Sequence, residues 1–264
     1  MIVLFPRNPD PHRFANKYKN LLSAVATGFQ VYANNLQGFD QLLDPKTGFL
    51  PPYKEKKGYD FATWRLLVTQ YEQRLLEDPV FQDKYPERYD TNCREVQAIY
   101  GTHPRVIDGK FNKIPKHIQK RIMASQEWIP WNDEMKHIFD SIPRLHRCIG
   151  VSVRTWQGAG DTNGLAAERA KTFNPQKYLD LIAKYEGKVE GIFFSFDHPQ
   201  AEQLFKDVKI PKVQFKLPSL TPMQKAAVEA KILGSCGLLI GDHMSTYPEV
   251  AWWMGGCQAD VLLV

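Results

Sequence analysis

Short apolar segments alternate with helical segments along the second half of the chain. Residues 148–153 and 191–196 are runs of apolar, β-branched and aromatic side chains that end at polar residues. Between them, residues 175–185 place apolar side chains at intervals of three and four. Strand-like runs joined by helical periodicity are typical of βαβ units in a parallel sheet that is buried on both faces.

The same alternation continues towards the last residue. We predict helices over residues 201–208, 221–233 and 249–254, and strands over residues 212–217, 237–241 and 259–264. Thr221 followed by Pro222 is typical of a helix start, because Thr caps the first turn and Pro is favoured at the first helical position. From residue 147 onward the pattern predicts five strands alternating with four helices, which is a Rossmann-like arrangement.

The first half of the chain has a less regular pattern. A strand is predicted over residues 2–5, and a helix from Phe14 onward, where apolar residues recur every three or four positions. Further helices are predicted over residues 61–76, 114–123 and 132–142, the last with Asn132 as its cap. The loop after the first strand has neither a GxGxxG nor a P-loop pattern. We place a domain boundary where the alternation of strands and helices begins, which gives domains 1–146 and 147–264.

The composition indicates a globular protein with a modest excess of positive charge. The 264 residues are 43% apolar, and the formal net charge of +5 is spread along the chain. This distribution favours small anionic ligands over nucleic acid. No signal sequence is recognised, and no apolar run approaches the roughly 20 residues of a membrane span. We therefore expect a soluble, cytoplasmic protein in which Cys148 and Cys236 are plain buried thiols.

Polar residues follow the predicted strands directly. Arg154 comes after the first strand of the second half, and Asp197 comes after the next. Because ligands of parallel sheets bind beyond the carboxyl ends of the strands, both side chains are candidates for a binding site. Asp161 lies in the Gly-rich segment 157–164 that follows Arg154, in a loop at the same predicted edge.

Two segments carry motifs of a known family. Residues 14–24 are similar to the pattern G-x-x-N-R-L-x-x-L-x-x-A, with Asn16 at the Asn position and Lys17 in place of Arg. Residues 149–154 are similar to the strand pattern I-G-V-H-x-R, and Arg154 stands at the Arg position.

Two further segments extend the similarity in the same order. Residues 194–199 are similar to a strand end written A-T-D-D/E-P, with Asp197 at the Asp position. Residues 229–253 are similar to a segment in which a Ser/Thr pair, here Ser245 and Thr246, precedes a helix. Together the four segments resemble the fucosyltransferase-like superfamily, which includes α1,6-fucosyltransferases and protein O-fucosyltransferases.

The resemblance implies a fold and an activity. The fold is α/β of the GT-B glycosyltransferase type, in which two Rossmann-like domains face each other across a cleft. The implied activity is inverting transfer of a sugar from a GDP-sugar to a glycan or another hydroxyl acceptor, with fucose as the first candidate sugar. No cofactor beyond the donor substrate is implied, and no nucleic-acid partner. The sequence contains no D-x-D, so we also predict independence of metal ions.

The resemblance and the loop positions nominate two sets of residues. The predicted catalytic residues are Arg154, Asp161 and Asp10, of which the two carboxylates are candidates for the general base. The predicted donor-binding residues are Asn16, Arg154, Asp197, His243, Ser245 and Thr246. In the family the arginine binds the β-phosphate, the Asp contacts the nucleotide base, and the Ser/Thr pair with its helix N-terminus holds phosphate.

The roles follow from the charge that develops in the reaction. The diphosphate leaves as the glycosidic bond breaks, so negative charge grows on its β-phosphate. A guanidinium is a permanent, bidentate partner for that charge. Backbone N–H groups at a helix N-terminus add to the stabilisation.

Three alternatives remain at this point. Ser152 replaces the His of the strand motif and Lys17 replaces an Arg, so one alternative is a transferase that uses another nucleotide sugar. No helix follows the last predicted strand, which motivates a non-catalytic nucleotide- or glycan-binding relative. A nucleic-acid binder is the least favoured, because the positive charge is not clustered.

Overall fold

The computed structural model describes residues 2–3, 14–15, 17–18, 21–22, 31–32, 39–44, 119–120, 123–124, 126–156, 170–242 and 245–264. Two short strands, β1 (Ile2–Val3) and β2 (Val31–Tyr32), pair in parallel as a sheet of their own. A 3-10 helix spans Phe39–Gln41. The other elements, in chain order, are α1 (Asp133–Ser141), β3 (Leu145–Val153), α2 (Pro175–Ala183), β4 (Gly191–Phe196), a 3-10 helix (Pro199–Phe205), α3 (Pro222–Ser235), β5 (Cys236–Gly241), α4 (Tyr247–Met254) and β6 (Asp260–Leu263).

In the part of the chain that the structure describes, the main sheet has four parallel strands in the order β4-β3-β5-β6. Alternate residues of β3 point to opposite faces: Ile149 and Val151 belong to a core with Tyr178 of α2. On the other face, Gly150 lies against Leu233 of α3, where an added Cβ would be 3.0 Å from the Leu233 carbonyl oxygen. Helices therefore cover both faces, which explains the continuous apolar runs and confirms the predicted α/β class with a parallel sheet.

A second core joins residues from both halves of the chain. It lies on the α3 and α4 face of the sheet and includes the buried side chains of Phe14, Tyr18, Met135 and Trp253. The described residues between 14 and 22 are helical and buried, as the apolar pattern predicts. The boundary between residues 146 and 147 stays a prediction.

Glycines fix how α4 sits against α3. An added Cβ on Gly234 would overlap the carbonyl oxygen of Ala251, and one on Gly255 would overlap that of Gly234. The two helix backbones are in direct contact at these residues, so a side chain at either glycine would push the helices apart. This contact anchors the far end of α4 and so sets where its first turn meets the sheet.

The predicted helix starts at Asn132 and Thr221 are confirmed. The Asn132 side chain accepts a hydrogen bond from the backbone N–H of Met135 at 2.8 Å. Thr221 and Gln224 form a reciprocal capping box, in which each side chain bonds the backbone N–H of the other. Such caps satisfy N–H groups that the first helical turn leaves unpaired.

Two predicted elements differ from the structure. The strand predicted over residues 212–217 was wrong, because the segment forms only an isolated parallel bridge, Ile192 with Lys212. Phe215 still packs edge-on against Phe193 of β4, at 6.1 Å between ring centroids, so the apolar pattern reflects side-chain packing without a backbone ladder. The helix predicted over residues 201–208 is instead the 3-10 helix Pro199–Phe205.

The cysteines behave as predicted where they are described. Cys148 and Cys236 are free and buried. Burial raises the pKa of the Cys236 thiol to about 12, and the neighbouring Cys148 adds to the shift. Neutral, buried thiols of this kind are chemically inert. No helix among the described residues is both long and apolar enough to cross a bilayer.

Candidate active site at the carboxyl edge of the sheet

Three charged residues meet where the central strands end. Arg154 follows β3, Asp197 follows β4 and Asp242 follows β5. The chain leaves β3 for β4 on one side, then crosses through α3 to β5 on the other side. The gap between the ends of β3 and β5 is therefore a topological switch point, the usual place for ligands in open α/β sheets.

Asp197 holds the turn that follows β3. Its Oδ1 accepts hydrogen bonds from the backbone N–H and the hydroxyl of Thr155, both at 2.9 Å. Its Oδ2 lies 3.0 Å from the backbone nitrogens of Thr155 and Trp156. The Asp197 side chain is only 7% exposed, so this carboxylate is a structural anchor as well as a charge.

Among the described residues, Asp197 and Trp156 orient Arg154. Its guanidinium lies 3.3 Å from Oδ2 of Asp197, and its Cζ lies 4.8 Å from the centroid of the Trp156 ring. One contact supplies an opposite charge and the other an aromatic face, which attracts a cation. The Arg154 side chain is 32% exposed, so the cation is both positioned by the protein and reachable from solvent.

Trp156 has an unusual backbone conformation. Its φ is +62°, in the left-handed region that bulky residues rarely adopt. The backbone N–H of Trp156 donates to Asp197, and its indole Nε1–H donates to Oδ2 of Asp242 at 3.1 Å. The strained turn is thus held from two neighbouring strands, and such conformations cluster at functional sites.

The turn between β5 and α4 continues the site. The backbone N–H of Ser245 donates to the Asp242 carbonyl at 3.0 Å, and the buried Ser245 hydroxyl accepts from the backbone N–H of Tyr247 at 3.3 Å. Thr246 is the residue before the helix and makes no side-chain capping bond. The predicted Ser/Thr pair therefore lies at the N-terminus of α4, on the turn that begins at Asp242.

Tyr178 of α2 lies beneath this edge. Its hydroxyl donates to the carbonyl oxygen of Ser152 at 3.4 Å. Burial raises the pKa of Tyr178 most, and the nearby charges of Asp242 and Asp197 raise it further. The phenol therefore stays neutral and supports the end of β3 from the protein interior.

A second polar cluster lies between β4 and α3. The Ser195 hydroxyl donates to Oε2 of Glu229 at 2.6 Å, and Lys225 lies 3.6 Å from Oε1. Burial raises the pKa of Glu229, although Ser195 and Lys225 lower it in part. A groove of about 310 Å³ runs beside this cluster, and Lys212 contributes to its wall.

The structure brings together part of the predicted site. Arg154 and Asp197 form an ion pair, and Ser245 and Thr246 lie on the turn that follows Asp242. The other nominated residues, Asp10, Asn16, Asp161 and His243, lie outside the described residues. In the described part of the chain, no three His, Cys, Asp or Glu side chains form a group that could hold a metal ion. Metal independence stays a prediction.

Two solved structures resemble the chain distantly. One is POFUT1 in complex with GDP-fucose, with a TM-score of 0.33 and 13% identity over 54% of this chain and 49% of that one. The other is NodZ alpha-1,6-fucosyltransferase soaked with GDP-fucose, with a TM-score of 0.45 and 14% identity over 96% of this chain and 91% of that one. The chain thus spans about half the length of POFUT1. No protein-family model matches the sequence, and no curated protein matches it.

Structural similarity this distant does not assign a function to the chain. Three residues of the site were missed from the sequence: Thr155, Trp156 and Asp242. Asp242 could have been found, because it directly follows a predicted buried strand, as Arg154 and Asp197 do. No sequence signal shows that Trp156 adopts a positive φ or reaches a partner 86 residues away.

Proposed function

We propose that the chain is an inverting glycosyltransferase that moves a sugar from a GDP-sugar to a glycan or another hydroxyl acceptor. Fucose is the first candidate for the sugar. The observation that carries the proposal is the guanidinium of Arg154, held at the switch point by Asp197 and Trp156. A cation fixed in this way stabilises charge without reorganising when the reaction occurs. Its target in the proposal is the β-phosphate of the departing GDP.

The turn after β5 supports the same assignment. Trp156 bonds to Asp242, and the Asp242 carbonyl accepts from Ser245, so the Arg154 turn and the start of α4 are joined by hydrogen bonds. Backbone N–H groups at a helix start favour phosphate. We propose that Ser245 and Thr246, with His243 between β5 and α4, bind the diphosphate beside Arg154.

The remaining roles are proposed from the motifs and the loop positions. Asp197 is proposed to contact guanine, although its oxygens already accept bonds from Thr155 and Trp156 and pair with Arg154. Asp161 and Asp10 are the candidates for the base that deprotonates the acceptor hydroxyl, and Asn16 is a candidate donor contact. We also propose that residues 1–146 form the acceptor-side domain of a GT-B fold, that residues 147–264 form the nucleotide-sugar domain, and that the reaction needs no metal ion.

The test is a comparison of nucleotides by thermal unfolding. A ligand present at 100 times its Kd stabilises a protein by about 2.7 kcal/mol. We expect GDP to raise the Tm more than UDP or ADP at equal concentration. Equal shifts with all three nucleotides would remove the guanine-specific assignment and leave a donor with another base as the alternative.

Catalysis is tested separately from binding. Release of sugar from GDP-fucose to water or to added acceptors, with and without a chelator, tests both transfer and metal independence. GDP binding without sugar release from any donor in a panel of nucleotide sugars would favour the non-catalytic relative.

A further inference from the structure

We propose that Asp242 is a positioning residue that acts on Arg154 through the indole of Trp156. This inference rests on the proposed function, because it concerns how the phosphate-binding cation is held. Asp242 lies at the end of β5, and its Oδ2 accepts the Trp156 Nε1–H at 3.1 Å. The centroid of the Trp156 ring in turn lies 4.8 Å from the Arg154 Cζ.

Trp156 is held at both of its ends. Its backbone N–H donates to Asp197, which belongs to the β4 end, and its indole donates to Asp242, which belongs to the β5 end. The φ of +62° requires such support, because a bulky residue does not keep this conformation unaided. The indole therefore transmits the position of β5 to the guanidinium that follows β3.

The geometry also separates positioning from a simple charge effect. Asp242 is an anion close to the proposed phosphate site, so its charge alone opposes the binding of a diphosphate. If charge were its only influence, Asp242→Ala and Asp242→Asn would both strengthen GDP binding. If Asp242 positions Arg154, Asp242→Ala weakens GDP binding, while Asp242→Asn, whose amide oxygen still accepts the indole N–H, stays close to wild type.

The readout is the preference for GDP over GMP, measured by calorimetric titration. Arg154 is assigned to the β-phosphate, which GMP lacks, so a fault in its positioning lowers GDP affinity and leaves GMP affinity unchanged. We expect Asp242→Ala to reduce GDP affinity about five- to thirty-fold, the loss of one hydrogen bond and part of a cation–π contact. Trp156→Phe keeps an aromatic face but removes the donor, so we expect a similar loss.

The two changes should not add. Because both remove the same indole-to-carboxylate bond, the double variant Trp156→Phe/Asp242→Ala is expected to lose little more GDP affinity than either single variant. The matched controls are Asp260→Ala, an exposed carboxylate at the start of β6, and Trp128→Phe, an exposed tryptophan. Both controls are expected to keep the wild-type preference for GDP.

The outcomes distinguish this inference from the proposed function. If the wild-type protein binds GDP no better than GMP, the phosphate role of Arg154 fails and the inference fails with it. If the wild type prefers GDP and Asp242→Ala and Trp156→Phe keep that preference, the inference is overturned and the proposed function stands. Equal loss of GDP and GMP affinity in these variants would show a purely structural role and would also overturn it. Trp156→Phe, which keeps an aromatic ring beside Arg154 but removes the indole donor, covers the case in which Asp242→Ala does not fold.

Discussion

The two ends of strands β3 and β4 carry similar ion pairs with different surroundings. At the amino end, Arg147 lies 2.6 Å from Glu190, and the two side chains are 64% and 56% exposed. At the carboxyl end, Arg154 lies 3.3 Å from Asp197, and the exposures are 32% and 7%. The shorter pair is the more solvated one, so distance alone does not show which pair matters.

The difference lies in what else each carboxylate does. Glu190 pairs with an exposed arginine, and such surface pairs contribute about 0–1 kcal/mol. Asp197 also accepts the backbone N–H groups of Thr155 and Trp156, so it holds a turn as well as a cation. The carboxyl end is therefore a built site, whereas the amino end is an ordinary surface contact. Arg147 and Glu190 serve as matched controls for Arg154 and Asp197.

The largest expected effect is on the reaction. Arg154→Ala removes the cation proposed to stabilise the leaving diphosphate, so we expect kcat to fall by about 10²–10³. Arg147→Ala, on the same strand, is expected to change kcat by less than about two-fold, because its pair is solvent-exposed. Initial rates of sugar release from the donor measure both. Similar rates for the two variants would contradict the assignment of Arg154.

The next effect is on stability. Asp197→Ala leaves the backbone N–H groups of Thr155 and Trp156 without their acceptor, so we expect the free energy of unfolding to fall by about 2–4 kcal/mol. Glu190→Ala is expected to stay within about 0.5 kcal/mol of wild type, as for most surface substitutions. Urea unfolding with a constant m-value measures both. A loss for Glu190→Ala as large as that for Asp197→Ala would remove the contrast between the two ends.

A third acidic residue, Glu229, extends the comparison, because its burial makes the stability of the protein depend on pH. Burial raises the pKa of Glu229 above its ordinary value of 4.5, so the folded state binds this proton more tightly than the unfolded state. This contribution to stability is fully present below pH 4.5 and is lost as the pH rises from there through the folded pKa.

Glu229→Gln keeps an acceptor for the Ser195 hydroxyl but cannot ionise. The stability of this variant relative to wild type is therefore expected to increase as the pH rises above about 4.5. Thermal unfolding of both proteins between pH 4 and pH 8 measures the trend. A difference that stayed constant, or that shrank with rising pH, would show that burial does not dominate at Glu229.

The smallest expected effect is the response to salt. At 1 M salt the screening length is about 3 Å, so an exposed pair loses most of its attraction. A double-mutant cycle on Arg147 and Glu190 should give a coupling energy below about 1 kcal/mol in low salt and near zero in high salt. The coupling between Arg154 and Asp197 should change less, since Asp197 is 7% exposed. Equal salt sensitivity in both cycles would place the two pairs in the same class.

Most elements of the second half of the chain could be predicted, because its parallel strands are buried on both faces. That burial makes them continuous apolar runs, and turn residues such as Asp197 mark their ends. The prediction of a strand over residues 212–217 was wrong, because the apolar side chains of this segment pack against β4 without a backbone ladder. Its backbone forms a single bridge, between Lys212 and Ile192. An apolar alternation reports which side chains are buried, and it does not report whether the backbone is paired.

The site was predictable only where it depends on strand ends. Arg154 and Asp197 each follow a predicted strand, so their meeting at one edge follows from parallel pairing. Trp156 and Glu229 were not predictable, because their roles depend on contacts with Asp242 and Ser195 across the fold. A carboxylate on a helix such as α3 is usually solvated, and nothing in the local sequence shows that this one is turned towards the sheet.

Arg154 is proposed to bind the diphosphate of a guanine nucleotide beyond the end of β3, and the other proposed roles depend on this contact. A crystal structure of the protein soaked with GDP tests it most directly. We predict that an oxygen of the β-phosphate lies about 2.7–2.9 Å from a guanidinium nitrogen of Arg154. The claim would be contradicted by a diphosphate bound away from Arg154.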